Sequence, residues 1–216
     1  PTSGGQDPIF DLISGILPRR KKNLKWIGYL SSTAVYGDHK GAWVNEVSHA
    51  INPSPRGKRR LQAEKKWLSL FDQFNLPVHI FRLSGIYGPG RNTLVRILGG
   101  KQTSIIKKGQ VFSRIHVTDI VRALYASLKS PTPGEIFNLS DDFPCAPELV
   151  DNYATQQLGA LPLKQIHFTS EEVSPMVRAF YQDSKKVSNQ KFKKQFNFKF
   201  VYPTYQEGLN ALYEGL

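Results

Sequence analysis

The chain has 216 residues, 40% hydrophobic and 21% charged, and its 29 Lys and Arg against 17 Asp and Glu give a formal net charge of +12. That length can bury a sizeable core and favours one domain, two at most, and the composition is that of an ordinary globular protein without low-complexity tracts. The single cysteine, Cys145, excludes an internal disulfide and fits a reducing compartment. No apolar run approaches the roughly 18 residues of a membrane span.

The basic residues fall in short clusters, among them Arg19 to Lys22, Arg56 to Arg60, Lys107-Lys108 and Lys191 to Lys194. Such clusters are mostly solvated faces, and they also draw an anionic cofactor or substrate by long-range attraction. No zinc knuckle, RNP-like aromatic run or basic-zipper pattern is present, so nucleic acid is not an expected partner. The chain starts with Pro1 and has no signal-peptide pattern, so a processed product or fragment is expected.

Residues 8–17 carry Ile9, Phe10, Leu12, Ile13, Ile16 and Leu17 in a helical stripe closed by Pro18. Residues 24–31 read as a buried strand, and 39–53 as a loop with Trp43 and Val44 as anchors. Residues 55–74 read as a long helix with Ala63, Trp67, Leu68, Leu70 and Phe71 on its apolar face, and 77–83 as a second strand. Strand, long helix, strand is a βαβ unit and implies a parallel sheet. A short extended segment at 113–117 leads into a helix at 118–128, and 135–139 is another strand. The remainder reads as helical at 147–158, 170–181 and 184–196, with a last helix from Thr204 carrying Glu207 in capping-box position. The class is therefore α/β with a helical C-terminal lobe.

The run Leu30-Ser31-Ser32-Thr33-Ala34-Val35-Tyr36-Gly37, then Arg56-Gly57-Lys58-Arg59-Arg60, resembles the active-site wall of the extended short-chain dehydrogenase/reductases, the NAD-dependent epimerase/dehydratase branch. In that family the strand ends in a catalytic Ser or Thr within SSxxVYG, and the helix carries Tyr-x-x-x-Lys. Here Ser32 matches the hydroxyl, while Arg56 holds the tyrosine position and Arg60 the lysine position. Arg82 to Arg91 resembles the family's R-x-x-x-x-Y-G-P-G run, and Arg114-Ile115-His116-Val117-Thr118-Asp119 its R-x-H-V-x-D run. The segment 202–208 resembles the start of the closing helix, in particular that of an atypical bacterial and plastid subgroup lacking the Tyr-x-x-x-Lys pair. No G-x-x-G-x-x-G or G-x-G-x-x-G loop occurs, so about the first third of a full-length member is absent and a strand edge is left unpaired.

The resemblance implies the C-terminal part of a Rossmann-type parallel sheet with a small helical substrate lobe. Residues 1–142 would form the partial NAD(P)-binding domain and 143–216 the substrate lobe. It implies NAD or NADP as cofactor, with Ser31, Arg60, Leu83, Gly85 and Ile86 contacting it. Ser32 is the catalytic candidate, and Thr33, Arg56, Arg91 and Arg114 face a small polar substrate, a nucleotide sugar among the options. A homodimer is left open, the protein is expected to be soluble in cytoplasm or plastid stroma, and no metal site is expected. An arginine cannot exchange a proton near neutral pH, so Arg56 cannot inherit the tyrosine's role. Tyr36, Tyr87 and His116 are the side chains whose type could supply a relocated acid or base, although the first two read as packing residues. A non-catalytic scaffold that binds cofactor or protein is the rival reading. Without the family, Ser31 to Thr33 also read as a plain strand end, Arg56 to Arg60 as a solvated helix start, His116 as a structural histidine and Cys145 as a small buried thiol.

Overall fold

The computed structural model describes residues 7–216. The first helix, α1 (Pro8–Ile13), is capped by Asp7, whose carboxylate accepts from the Phe10 amide. The helix expected to reach residue 17 stops at Ile13, and a 3₁₀ helix, Leu17–Asn23, follows. Gly15 and Pro18 explain the break: glycine weakens a helix interior, and Pro18 is accommodated in the first turn of the new one.

Next come β1 (Ile27–Ser32), a 3₁₀ turn Thr33–Tyr36, and the two-residue strand β2 (Trp43–Val44). Val44 anchors the loop as expected, but Trp43 is 58% exposed. The long helix α2 (Pro55–Phe74) matches the reading at both ends. Ser54 caps it by accepting from Gly57, Pro55 sits in its first turn, and Asn75 ends it in the left-handed conformation.

The chain then forms β3 (Val78–Leu83), β4 (Gly85–Tyr87), α3 (Thr93–Leu98), β5 (Thr103–Ile106), β6 (Arg114–His116), α4 (Val117–Lys129) and β7 (Ile136–Leu139). The last part holds α5 (Pro147–Gln157), β8 (Lys164–His167), α6 (Pro175–Phe180), β9 (Lys186–Val187), α7 (Gln190–Phe196) and α8 (Tyr205–Tyr213). The capping box of α8 forms between Thr204 and Glu207. The helix expected over 170–181 shrinks to α6, which starts after Ser174, and the one expected over 184–196 yields β9 before α7 begins.

The main sheet is parallel in the order β1-β3-β7, with Ser32 opposite Leu83 and Leu83 opposite Leu139. Every residue of the central strand β3 is buried, as its continuous apolar run requires. Alternate residues feed opposite faces. Val78 and Ile80 pack with Trp67 and Leu70 of α2, whereas Phe81, Phe137 and Leu139 pack with Ile120 and Ala123 of α4 and Phe192 of α7. Of three further parallel pairs, β2 with β9 and β5 with β8 tie C-terminal strands to earlier ones, and β4 pairs with β6. A separate cluster of Leu94, Cys145, Val150, Ala154, Tyr205 and Leu209 joins α3, α5 and α8. Among the described residues, no helix is long and apolar enough to cross a membrane.

Candidate functional site

The carboxyl ends of β1 and β3 lie side by side, where open α/β sheets place their sites. Three consecutive hydroxyls end β1, and the structure gives each a different task. Ser31 is buried and donates to Glu64 Oε1 at 2.5 Å. Thr33 donates to the Leu83 carbonyl at 3.4 Å, tying the two strand ends together. Ser32 Oγ accepts from the Ala34 amide at 3.2 Å, which fixes the oxygen while its proton has no acceptor among the described residues. Ser32 can therefore donate to an incoming oxygen atom.

The first turns of α2 form the neighbouring wall. Gly57 presses so closely on the turn after β1 that a Cβ there would stand 2.3 Å from the Ala34 carbonyl oxygen. One turn from Arg56 along the helix, Arg60 donates from Nη1 to the Leu30 carbonyl at 3.1 Å and the Tyr29 hydroxyl at 3.2 Å. Arg56 is exposed and has neither a hydrogen-bond nor an ion-pair partner among the described residues.

Beneath these groups runs a buried network that sequence reasoning missed. Arg82 of β3 grips both carboxylate oxygens of Glu64, with Nη2 2.7 Å from Oε2 and Nε 3.1 and 3.2 Å from the two oxygens. Its Nη1 donates to the Tyr36 hydroxyl at 3.0 Å, and Tyr36 in turn donates to Asn138 Oδ1 at 2.7 Å. The Asn138 amide reaches Glu46 Oε1 at 2.8 Å. Strands β1, β3 and β7 are thereby locked to α2 and the 37–53 loop. The available signal was a charge inside each of two apolar patterns: Arg82 in an all-buried strand and Glu64 beside Ala63 and Trp67.

The turn after β3 carries the remaining candidates. Leu83 is buried, while Gly85 and Ile86 are exposed on β4, whose Gly85 pairs with Arg114 of β6. Arg114 Nη1 donates to the Phe112 carbonyl at 3.0 Å and to Cys145 Sγ at 3.2 Å. Arg91 lies on the exposed turn behind Gly88-Pro89-Gly90, and no side-chain contact joins it to the Ser32 group. Ser31, Ser32, Thr33, Arg60 and Leu83 are thus contiguous and Gly85, Ile86 and Arg114 follow along β4 and β6, whereas Arg91 stands apart.

The residues considered as relocated acid or base are otherwise engaged. Tyr36 is buried, and burial, opposed by Arg82, holds its hydroxyl above the usual range. Tyr87 is likewise pushed up by burial and by Asp141, and donates to the Thr204 carbonyl at 3.4 Å. His116 packs between Tyr87 and Tyr202, accepts from the Thr118 amide at 3.2 Å, and is held below its usual pKa by burial. Cys145 is buried, and burial raises its thiol. Asp141, at the end of β7, is 2% exposed with Oδ2 unpartnered, and burial pushes its carboxyl up to about 8 despite Arg114.

Comparison with known proteins bears on the family and the fold. Protein YeeZ of Escherichia coli (strain K12) is 35% identical over 142 residues, a match covering 64% of this chain and 45% of that protein. The chain thus spans less than half the length of this curated relative. Human dTDP-D-glucose 4,6-dehydratase is 28% identical over 123 residues, covering 53% of this chain and 35% of that protein. A solved structure of a conserved protein from Silicibacter pomeroyi DSS, of unknown function, superposes with a TM-score of 0.92 at 42% identity, covering 98% of this chain and 74% of the other. Bacillus anthracis dTDP-glucose 4,6-dehydratase, solved in complex with NAD, shares the fold with a TM-score of 0.74 at 21% identity, over 96% of this chain and 68% of that one. The model of the NAD dependent epimerase/dehydratase family matches residues 12–140, and the chain, with its Rossmann-type α/β fold, belongs to that family.

Proposed function

We propose that this chain supplies the substrate-orienting wall of an NAD(P)-binding oxidoreductase, epimerase or dehydratase that acts on a small polar substrate. Ser32 carries the proposal: its oxygen is fixed by the Ala34 amide and its proton is left for a ligand, at the carboxyl edge of a parallel sheet. In this reading residues 1–142 hold the cofactor side and 143–216 the substrate side.

The residues present fit one end of a dinucleotide. Gly85 and Ile86 offer exposed backbone and an apolar side chain, and Arg60 keeps Nε and Nη2 free of partners among the described residues. Arg60, Leu83, Gly85 and Ile86 would hold the nicotinamide half, while the phosphate-binding glycine loop is not in this chain. When bound, the cofactor would supply hydride acceptance and return. Ser31 would act indirectly, since its hydroxyl is spent on Glu64 and serves to fix the strand end. Nucleotide sugars are one substrate class to try, because an epimerase from Methanobrevibacter ruminantium of the same fold was solved with UDP-N-acetylmuramic acid.

Arg56 and Arg60 stand in the places of tyrosine and lysine in this reading, so no side chain at the tyrosine position moves a proton. The burial of Tyr36, Tyr87 and His116 favours a second reading, a cofactor-binding module without turnover.

Calorimetric titration of NAD(H) and NADP(H) into this chain, and into a version extended at its N-terminus, tests the proposal. Binding by the extended form, with turnover on a nucleotide sugar that falls at least about a hundredfold in Ser32→Ala, is expected. Binding without turnover, even after Arg56→Tyr with Arg60→Lys, would favour the module, and binding by neither form would overturn both readings.

A further inference from the structure

We infer that the cleft between Trp43 of β2 and Asn189 and Gln190, where β9 leads into α7, binds a neutral polyhydroxylated ring, a sugar, stacked on the Trp43 indole. None of these residues belongs to the Ser32 group, so the inference stands apart from the reading above.

The cleft has a volume of about 400 Å³, within the range of small-molecule sites, and is bounded by the β2–β9 pair, the Asp141–Asp142 turn after β7 and the start of α7. Trp43 is the side chain in it that packing does not explain. The other two tryptophans have their indole N–H engaged, Trp26 by Ser127 Oγ and Trp67 by Asp7 Oδ2, each at 3.0 Å. Trp43 is 58% exposed, and its N–H has no acceptor among the described residues. It offers an apolar platform with a donor on its rim.

The polar lining is free on the same side. Asn189 is 3% exposed, and its two amide hydrogens go to the Ser140 carbonyl at 2.8 Å and to Asp142 Oδ1 at 2.7 Å. Its Oδ1 accepts from nothing among the described residues and, unlike the unpartnered Oδ2 of Asp141 beside it, is not sealed from solvent. A buried side chain is thus held by its donors and presents its acceptor to the cleft it lines. The Gln190 side chain is exposed and also without a partner among the described residues.

The charges present decide the class of ligand. Asp142 is neutralised by Lys193, 2.9 Å from both carboxylate oxygens, and Lys186 stands 5.9 Å from the Trp43 ring centroid. A cation would meet a ring already faced by an ammonium, and an anion would compete with Asp142 for Lys193. Hydroxyls donate and accept alike, which matches Asn189 Oδ1, the Gln190 amide and the Trp43 N–H, while the C–H face of a ring lies on the indole.

The test titrates D-glucose, D-galactose and D-mannose into the intact chain, with glycerol and choline as controls. The Trp43 indole N–H and the Gln190 side-chain amide resonances are the readouts. At least one sugar is expected to shift both saturably at millimolar affinity, with the Trp26 and Trp67 indole resonances unmoved. Glycerol and choline should move neither. Trp43→Ala should weaken binding about tenfold or more, read at Gln190, and Trp43→Tyr should keep part of it. Gln190→Ala should weaken it about threefold, read at Trp43. Tyr125→Ala is the control. That ring lies on α4 outside the cleft, is 59% exposed, and is likewise faced by a lysine, Lys129 at 5.3 Å. Its loss should leave affinity within about twofold. Where glucose binds, tighter binding of maltose assigns the source as a glycan chain and weaker binding as a free sugar, and both sustain the site. Equal loss in Trp43→Ala and Tyr125→Ala would mean unspecific stacking and would overturn the inference. So would silence with all three sugars, an equal response to glycerol, or a response to choline alone.

Discussion

Arg82 and Glu64 show how a single pair of side chains holds the site wall. Their side chains are 7% and 2% exposed, yet both are charged, and the cost of burying them is offset by the two-pronged contact and by Ser31 and Tyr36. Removing one partner strands the other charge. Arg82→Met is therefore expected to cost about 3–5 kcal/mol in urea unfolding, and Arg82→Met with Glu64→Leu clearly less than the single change. A cost below about 1 kcal/mol for Arg82→Met would show that water reaches the pair. The sequence held only a faint signal of either role, a charge inside an apolar pattern, because a lone Arg or Glu reads as surface until a partner is known, and these two are separated by a helix end and a strand. The place of Ser32 at the end of β1 was legible, because a strand end followed by small hydroxyl residues is a local pattern, while the role proposed for it came from the family resemblance.

At the scale of elements, α2 was readable to the residue. Ser54, Pro55 and the apolar spacing of Ala63, Trp67 and Leu70 are all local signals. The pairing of β5 with β8 was not: two four-residue strands, each too short for a clear period, meet across some sixty residues of chain. What α2 contributes to the site depends on Gly57. Alanine is the better helix former by about 1 kcal/mol, and propensity alone makes Gly57→Ala stabilising. The added Cβ would stand 2.3 Å from the Ala34 carbonyl, a backbone atom that cannot swing aside, so the clash wins. Gly57→Ala should destabilise by about 1–3 kcal/mol and move the Ser32 and Ala34 amide resonances. Gly15→Ala meets nothing within 4 Å and serves as the control, with a thermal midpoint unchanged or slightly raised. A Gly57→Ala midpoint at or above that of the parent would show that α2 is not seated on the Ser32 turn.

At the scale of the whole molecule, buried titratable groups set a pH window for stability. His79 is fully buried, and its Nε2 accepts from the Thr132 amide at 2.8 Å, which leaves Nδ1–H for the Ile27 carbonyl at 3.3 Å. Only the neutral ring satisfies both contacts, and burial accordingly holds its pKa below the usual value, as it does for His116. The unfolded chain takes up those protons first, so stability should fall as pH drops below about 6.5, toward the lower folded values. Asp141 works in the opposite sense. Its folded carboxyl titrates at about 8, so its contribution is fully present below the ordinary carboxylate range near 4 and is lost as pH rises to about 8. Thermal midpoints measured from pH 4 to 9 should separate the two limbs. Asp141→Asn should leave the midpoint nearly unchanged at pH 4 and raise it at pH 8, at about 2–4 °C for each kcal/mol in a chain of this size. His79→Gln should lower the midpoint at neutral pH but flatten the acid limb. A gain from Asp141→Asn of equal size at pH 4 and pH 8 would show that the carboxyl is not held neutral, and that a partner for its free oxygen forms in solution.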